Sequence, residues 1–133
     1  MKRITNLIIV SFLVMSWPLH SQSSEDTITK SFNVLIGEWN IDLRPTPESE
    51  GYYQKFKVDQ IDGRTFQGTF YGSTINDGYI NNQWKRLYFA FSTSDSSNSY
   101  YHSGYILEGK IYGISYCPGR AFTAPWTGSK DMD

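Results

Sequence analysis

Leu35-Ile-Gly-Glu-Trp-Asn-Ile-Asp-Leu43 alternates: Leu35, Trp39, Ile41 and Leu43 are apolar, and Glu38, Asn40 and Asp42 between them are polar. A period of two sends the two sets to opposite faces of a pleated chain, so the stretch predicts a half-buried β-strand. Working outward, the same period recurs and helical periodicity does not. Arg44–Gly51 carries Pro45 and Pro47 and reads as a loop. Strands follow over Tyr52–Val58, Thr65–Ser73, a short piece around Tyr79 and Ile80, Trp84–Ser92, Tyr100–Leu107, Lys110–Cys117 and Ala121–Thr127. Asp62-Gly63, the Ser-rich 92–99 stretch, Glu108-Gly109 and Pro118-Gly119 are the turns between them. Turns this short impose antiparallel neighbours. The fold class expected is all-β, an antiparallel up-and-down (meander) β-barrel of about eight strands, because closure removes the exposed edges.

The chain has 133 residues and a formal net charge of -1, which suits one domain. Aromatic residues make up 17% of it, enough bulky surface to exclude wholesale disorder. The near-neutral charge argues against a nucleic-acid partner. One Cys cannot form an internal disulfide, and two His make a His-based metal site an unattractive reading, so no metal and no cofactor are expected. Residues 1–21 read as a signal peptide: Lys2 and Arg3 precede an apolar run over Leu7–Trp17, about half the length a bilayer span needs. That implies a periplasmic or secreted protein with no transmembrane span. Residues 22–31 are a polar, flexible lead-in, and 32–133 are the barrel domain. Losing Lys2 and Arg3 leaves ten basic and thirteen acidic residues, a net charge of about -3.

Gly37-Glu38-Trp39 at the head of the first strand resembles the Gly-x-Trp signature of lipocalin and avidin-like barrels. Phe66-Gln-Gly-Thr-Phe70, Leu87-Tyr-Phe-Ala-Phe91 and His102-Ser103-Gly104 resemble, in order, strands of the avidin group. The resemblance implies a Trp39 that plugs the closed end, a Gly37 that lets the chain pass beside it, and a basic residue stacked over the indole, for which Lys130 is best placed. It also implies a small-ligand cup. The avidin pattern is broken where it would hold biotin: Ile41 replaces an Asn, Phe70 a Tyr and Gly72 a Ser. Each lost buried hydrogen bond costs about 1–3 kcal/mol, so biotin is not the expected ligand.

Trp39, Ile41, Phe70, Phe89 and Phe91 share alternating faces and are expected either to line a cup for a small hydrophobic or aromatic ligand or to fill it. Tyr101, His102 and Ser103, beside the Ser-rich loop, are expected at the barrel mouth. No catalytic residue is assigned: His102 has no carboxylate at a fixed spacing, and there is no Gly-x-Ser-x-Gly elbow or phosphate loop. The Trp84–Phe91 stretch is apolar on both faces, which predicts a covered outer side and admits a homo-oligomer. The leading expectation is an exported, non-enzymatic barrel with a ligand in its cup. A protein-binding barrel, such as a periplasmic inhibitor of a secreted hydrolase, is the second. A small barrel cyclase or isomerase using His102 is the third.

Overall fold

The computed structural model describes residues 32–130. The expected signal peptide and lead-in, and positions 131–133, lie outside the described residues. Nine strands follow one another: β1 Gly37–Asp42, β2 Tyr53–Asp62, β3 Thr65–Phe70, β4 Ser73–Thr74, β5 Asn76–Asn81, β6 Tyr88–Ser94, β7 Ser99–Leu107, β8 Lys110–Cys117 and β9 Phe122–Ser129. All pairings are antiparallel. β4 and β5 are one wall strand interrupted at Ile75, since both pair with β3. The sheet closes where β9 meets β1, with Ile41 opposite Gly128. The result is a closed, eight-stranded meander barrel.

Alternation then decides what goes inside. On β6, Phe89, Phe91 and Thr93 are buried, while Tyr88, Ala90 and Ser94 are exposed. Phe56 of β2 reaches across the barrel to Phe89 and Phe91 of β6, with ring centres 5.7 and 5.2 Å apart, and to Trp126 of β9 at 6.2 Å. Neither β6 nor β9 is a neighbour of β2. Rings from separate walls are therefore in contact at the spacing aromatic pairs prefer, and side chains fill the barrel at this level.

The closed end is built from the N-terminal side. Phe32–Leu35 forms a short helical turn, with the Leu35 N–H bonded to the Phe32 carbonyl at 3.0 Å. The first strand starts two residues later than the alternation suggests. Leu35 is fully buried because it plugs the barrel end, not because it lies on a strand. The Trp39 indole N–H donates to the Leu35 carbonyl at 2.9 Å. Lys130 Nζ sits 5.0 Å from the centre of the Trp39 ring and donates to the Ile36 carbonyl. Gly37, at φ +118°, makes the bend between plug and strand that a side chain would strain.

Two further boundaries differ from the expectation. The third strand stops at Phe70, because Tyr71 and Gly72 both adopt positive φ (52° and 77°) and turn the chain into β4. Trp84 is not on a strand: Asn81 Oδ1 accepts the Gln83 N–H at 2.9 Å, the chain turns, and β6 begins only at Tyr88.

If the cross-barrel contact of Phe56 holds the walls together, Phe56→Ala should lower stability by about 3–5 kcal/mol. The urea midpoint, at unchanged slope, measures it. A loss under about 1 kcal/mol would mean the rings do not form one continuous core.

Candidate functional site

The charged residues are divided unevenly round the barrel. β2 carries Lys55, Lys57, Asp59 and Asp62, and ion pairs tie Lys55 to Glu38 at 2.7 Å and Lys57 to Asp59 at 2.8 Å. β6, β7 and β9 contain no Asp, Glu, Lys or Arg, and β8 has only Lys110, at its first position. The outer side of these four strands is a wall whose only charged side chain is Lys110, at one end of β8.

Registration arranges that wall in rows. Tyr79, Ala90, Ser103, Ile114 and Pro125 lie opposite one another in turn across β5 to β9. A second row holds Tyr88, Tyr105, Tyr112 and Thr127, and a third holds Ser92, Tyr101, Tyr116 and Thr123. The middle row is low because Ala90 and Ser103 are short, and tyrosines stand on either side of it. Tyr105 stacks on Tyr112 at 5.2 Å, and the Arg86 guanidinium caps Tyr105 at 5.0 Å. Tyr101 and Tyr116 have ring centres 6.5 Å apart. Along the middle and third rows of β6 to β8 lies a trough of about 490 Å³, with Ala90, Ser103 and Ile114 along it, Tyr101 and Tyr116 on one side, and Asp77 at its edge. At β-sheet spacings the whole wall covers roughly 20 by 20 Å.

The sequence-derived candidates divide between the two sides of the sheet. Trp39, Ile41, Phe70, Phe89 and Phe91 point inward, are buried and pack in one cluster. Tyr101 and Ser103 point outward into the trough region. His102 between them points inward and is buried, so the three do not form one mouth site. Ala90, Ile114 and Pro125, which complete the middle row, were not singled out. The sequence signal for them is Ile114, an apolar residue at an outward parity next to the buried Ile111 and Ser115.

His102 sits in a buried polar chain. Its Nδ1 is 2.7 Å from Ser115 Oγ and its Nε2 is 3.0 Å from Thr93 Oγ1. The Trp126 indole N–H donates to the same Ser115 oxygen at 3.0 Å. Phe70 and Phe91 cover the imidazole, with ring centres 4.3 and 4.6 Å away. Thr93, His102, Ser115 and Trp126 come from β6, β7, β8 and β9, the four strands that carry this wall. Both ring nitrogens are therefore engaged by hydroxyls, away from solvent. Asp95, the nearest preceding carboxylate in sequence, instead accepts the Ser97 and Asn98 N–H groups and the Tyr100 hydroxyl. The arrangement braces the wall and presents no base to a substrate.

A separate groove of about 880 Å³ opens where bulges interrupt β2 near Asp59 and β5 near Asp77. Asp59, Gln60, Gln67, Asn76 and several hydroxyls line it. Among the described residues no group of three or more His, Cys, Asp or Glu could hold a metal ion, and Cys117 is a buried free thiol. No helix of the described residues is long and apolar enough to cross a membrane. No protein-family model, curated protein or solved structure matches the chain.

Burial lowers the pKa of His102 from its ordinary 6.5 to about 4. The unfolded chain therefore takes up this proton first, and His102 favours folding above pH 6.5 and stops doing so as the pH falls through about 4. Between pH 7 and pH 5 the urea-measured stability should fall by about 2 kcal/mol. His102→Gln should flatten that dependence, and a wild-type protein already flat over this range would show that the imidazole titrates normally.

Proposed function

We propose that this protein is an exported, non-enzymatic binding barrel of the calycin type that holds a protein partner against the tyrosine-bearing outer wall of β6 to β9 and its trough. The carrying observation is the division of aromatic residues: one set fills the interior, and the other stands outside on a wall with charge only at its edge. Contact of rings across the barrel leaves the expected cup without room at that level, which moves recognition to the exterior. A wall of Tyr, Ser, Ala and Ile with charge only at its edge has the composition of an interface centre, where charged residues are depleted and Tyr enriched. Tyrosine gives contact area and a hydroxyl at small entropic cost, as it does in antibody paratopes. The calycin reading is supported by the eight-stranded meander and by the Gly37, Trp39 and Lys130 arrangement at the closed end. The periplasmic or secreted location rests on the leader-like first 21 residues.

A second copy of the chain is the other occupant that suits this wall, because a nearly neutral surface does not strongly repel itself. Native mass spectrometry of the protein purified from its own host separates the readings. A heterologous protein in the complex is expected. A homo-oligomer would assign the wall to self-association, and a monomer with a discrete small adduct would return the ligand to the cup. Ile114→Asp, which puts a charge in the middle of the trough, should weaken the complex at least about tenfold while shifting stability by no more than about 0.5 kcal/mol. Unchanged binding by that variant would remove the trough from the interface.

A further inference from the structure

We propose that the barrel end carrying Trp84 docks on an anionic phospholipid surface, a role on a different part of the molecule from the tyrosine wall. In an up-and-down barrel alternate turns share an end. The β2–β3 turn at Gly63-Arg64, the β5–β6 loop over 82–87, the β7–β8 turn at Glu108-Gly109 and the Phe32–Leu35 plug all lie at the end where β1 begins.

Trp84 is 73% exposed on the β5–β6 loop, the most exposed large apolar side chain among the described residues. Lys85 and Arg86 follow it directly. Arg64 and Lys110 flank neighbouring turns of this end, against the acidic Asp62 and Glu108. With Lys130 over Trp39 and Glu38 near the start of β1, five cations face three carboxylates at this end among the described residues. At the opposite end Asp42, Glu48, Glu50 and Asp95 outnumber Arg44 and Arg120. The described part of the barrel thus carries a positive excess at the Trp84 end and a negative one at the other, and a negative plane would orient it with Trp84 leading. Among the described residues Arg64, Lys85 and Lys110 take part in no ion pair, so their charge remains available.

An indole suits the headgroup layer of a bilayer, where its ring is part apolar and its N–H stays hydrated. Adjacent Lys and Arg supply the attraction to anionic lipid, which falls off within a Debye length. A protein partner would be expected to meet a shaped surface. Here a single ring projects from a loop among flexible cations, which suits a fluid surface better.

Flotation of the protein, purified in the form its host leaves it, tests the proposal against vesicles of phosphatidylcholine alone and with about 30% phosphatidylglycerol. Binding to the anionic vesicles should exceed that to neutral ones at least about fivefold, and should be lost near 0.5 M salt, on the order of two-thirds of the way to the 3 Å screening length of molar salt. Trp84→Ala and Lys85→Gln/Arg86→Gln should each cut binding by about fivefold, while Ile114→Asp leaves it unchanged. Trp39 and Trp126 are buried, so in protein lacking residues 1–21, and with them Trp17, a blue shift of emission on vesicle addition reports Trp84. Equal binding by wild type and both loop variants would overturn the proposal, including the case in which a retained N-terminal run does the binding. So would equal binding to neutral vesicles, or co-purification of a protein through Trp84 with no vesicle binding.

Discussion

The contact between Phe56 and the rings of the facing wall is the constraint on which the rest of this barrel depends. Eight strands enclose a space just wide enough for side chains to meet in the middle. Whether they do meet is a matter of residue size. Phe56, Phe66, Phe70, Phe89, Phe91 and Trp126 are large enough, and each is nearly out of solvent. Their packing gives a compact domain of modest length a continuous core without a disulfide or a metal. It also takes up the volume in which related architectures keep a ligand, so the stabilising device and the functional location are linked. A barrel filled this way leaves its outer wall as the surface on which the proposed recognition rests.

Close packing also sets what the inner wall tolerates. A Cβ on Gly113 would fall 2.2 Å from a Trp126 ring carbon, inside any real contact distance. The indole therefore lies directly against bare backbone of β8, and from that position its N–H reaches Ser115. The polar chain through Ser115, His102 and Thr93 follows. Each of these groups would be costly if buried alone, and each is paired. What looks in sequence like an isolated histidine among tyrosines is the middle of a brace spanning four strands.

Much of this was legible in the residues. Alternation in 35–43 and in Lys110–Cys117 and the Gly-containing turns suffice for an antiparallel meander, and eight closed strands are what the structure has. The boundaries that moved have local causes that periodicity does not register. Leu35 is apolar at the right parity yet belongs to a helical plug, and Trp84, expected to open the Trp84–Ser92 strand, projects from a loop turned by Asn81. The site was harder, because alternation says which residues share a face of one strand but not what lies beside them on the next. Tyr101, His102 and Ser103 are consecutive, and a linear reading groups them; in a strand they must separate, two out and one in. The row from Tyr79 to Pro125 exists only through registers among residues far apart in sequence. The apolar character of both sides of Phe89–Phe91 was visible, and the structure leaves its outer side, Tyr88 and Ala90, exposed in the chain by itself.

The inner brace and the outer trough occupy two sides of the same four strands, and that coincidence has a physical consequence. A recognition surface made of tyrosines on a sheet loses affinity if the strands beneath it shift, since ordering them would then be charged to binding. Hydrogen bonds from Thr93 to Trp126 cross the four strands on their inner face, in the same direction as the backbone ladder and shielded from competing water, and so hold the spacing of the rows above them. Apolar residues at those positions would have packed as well but would not have fixed direction, because dispersion contacts slide and hydrogen bonds do not. The price is a buried imidazole that acid can charge. Protonation would turn both ring nitrogens into donors and place a cation beside two hydroxyls with no carboxylate against it. The brace beneath the proposed recognition surface is thus also a place where a fall in pH acts directly on the barrel.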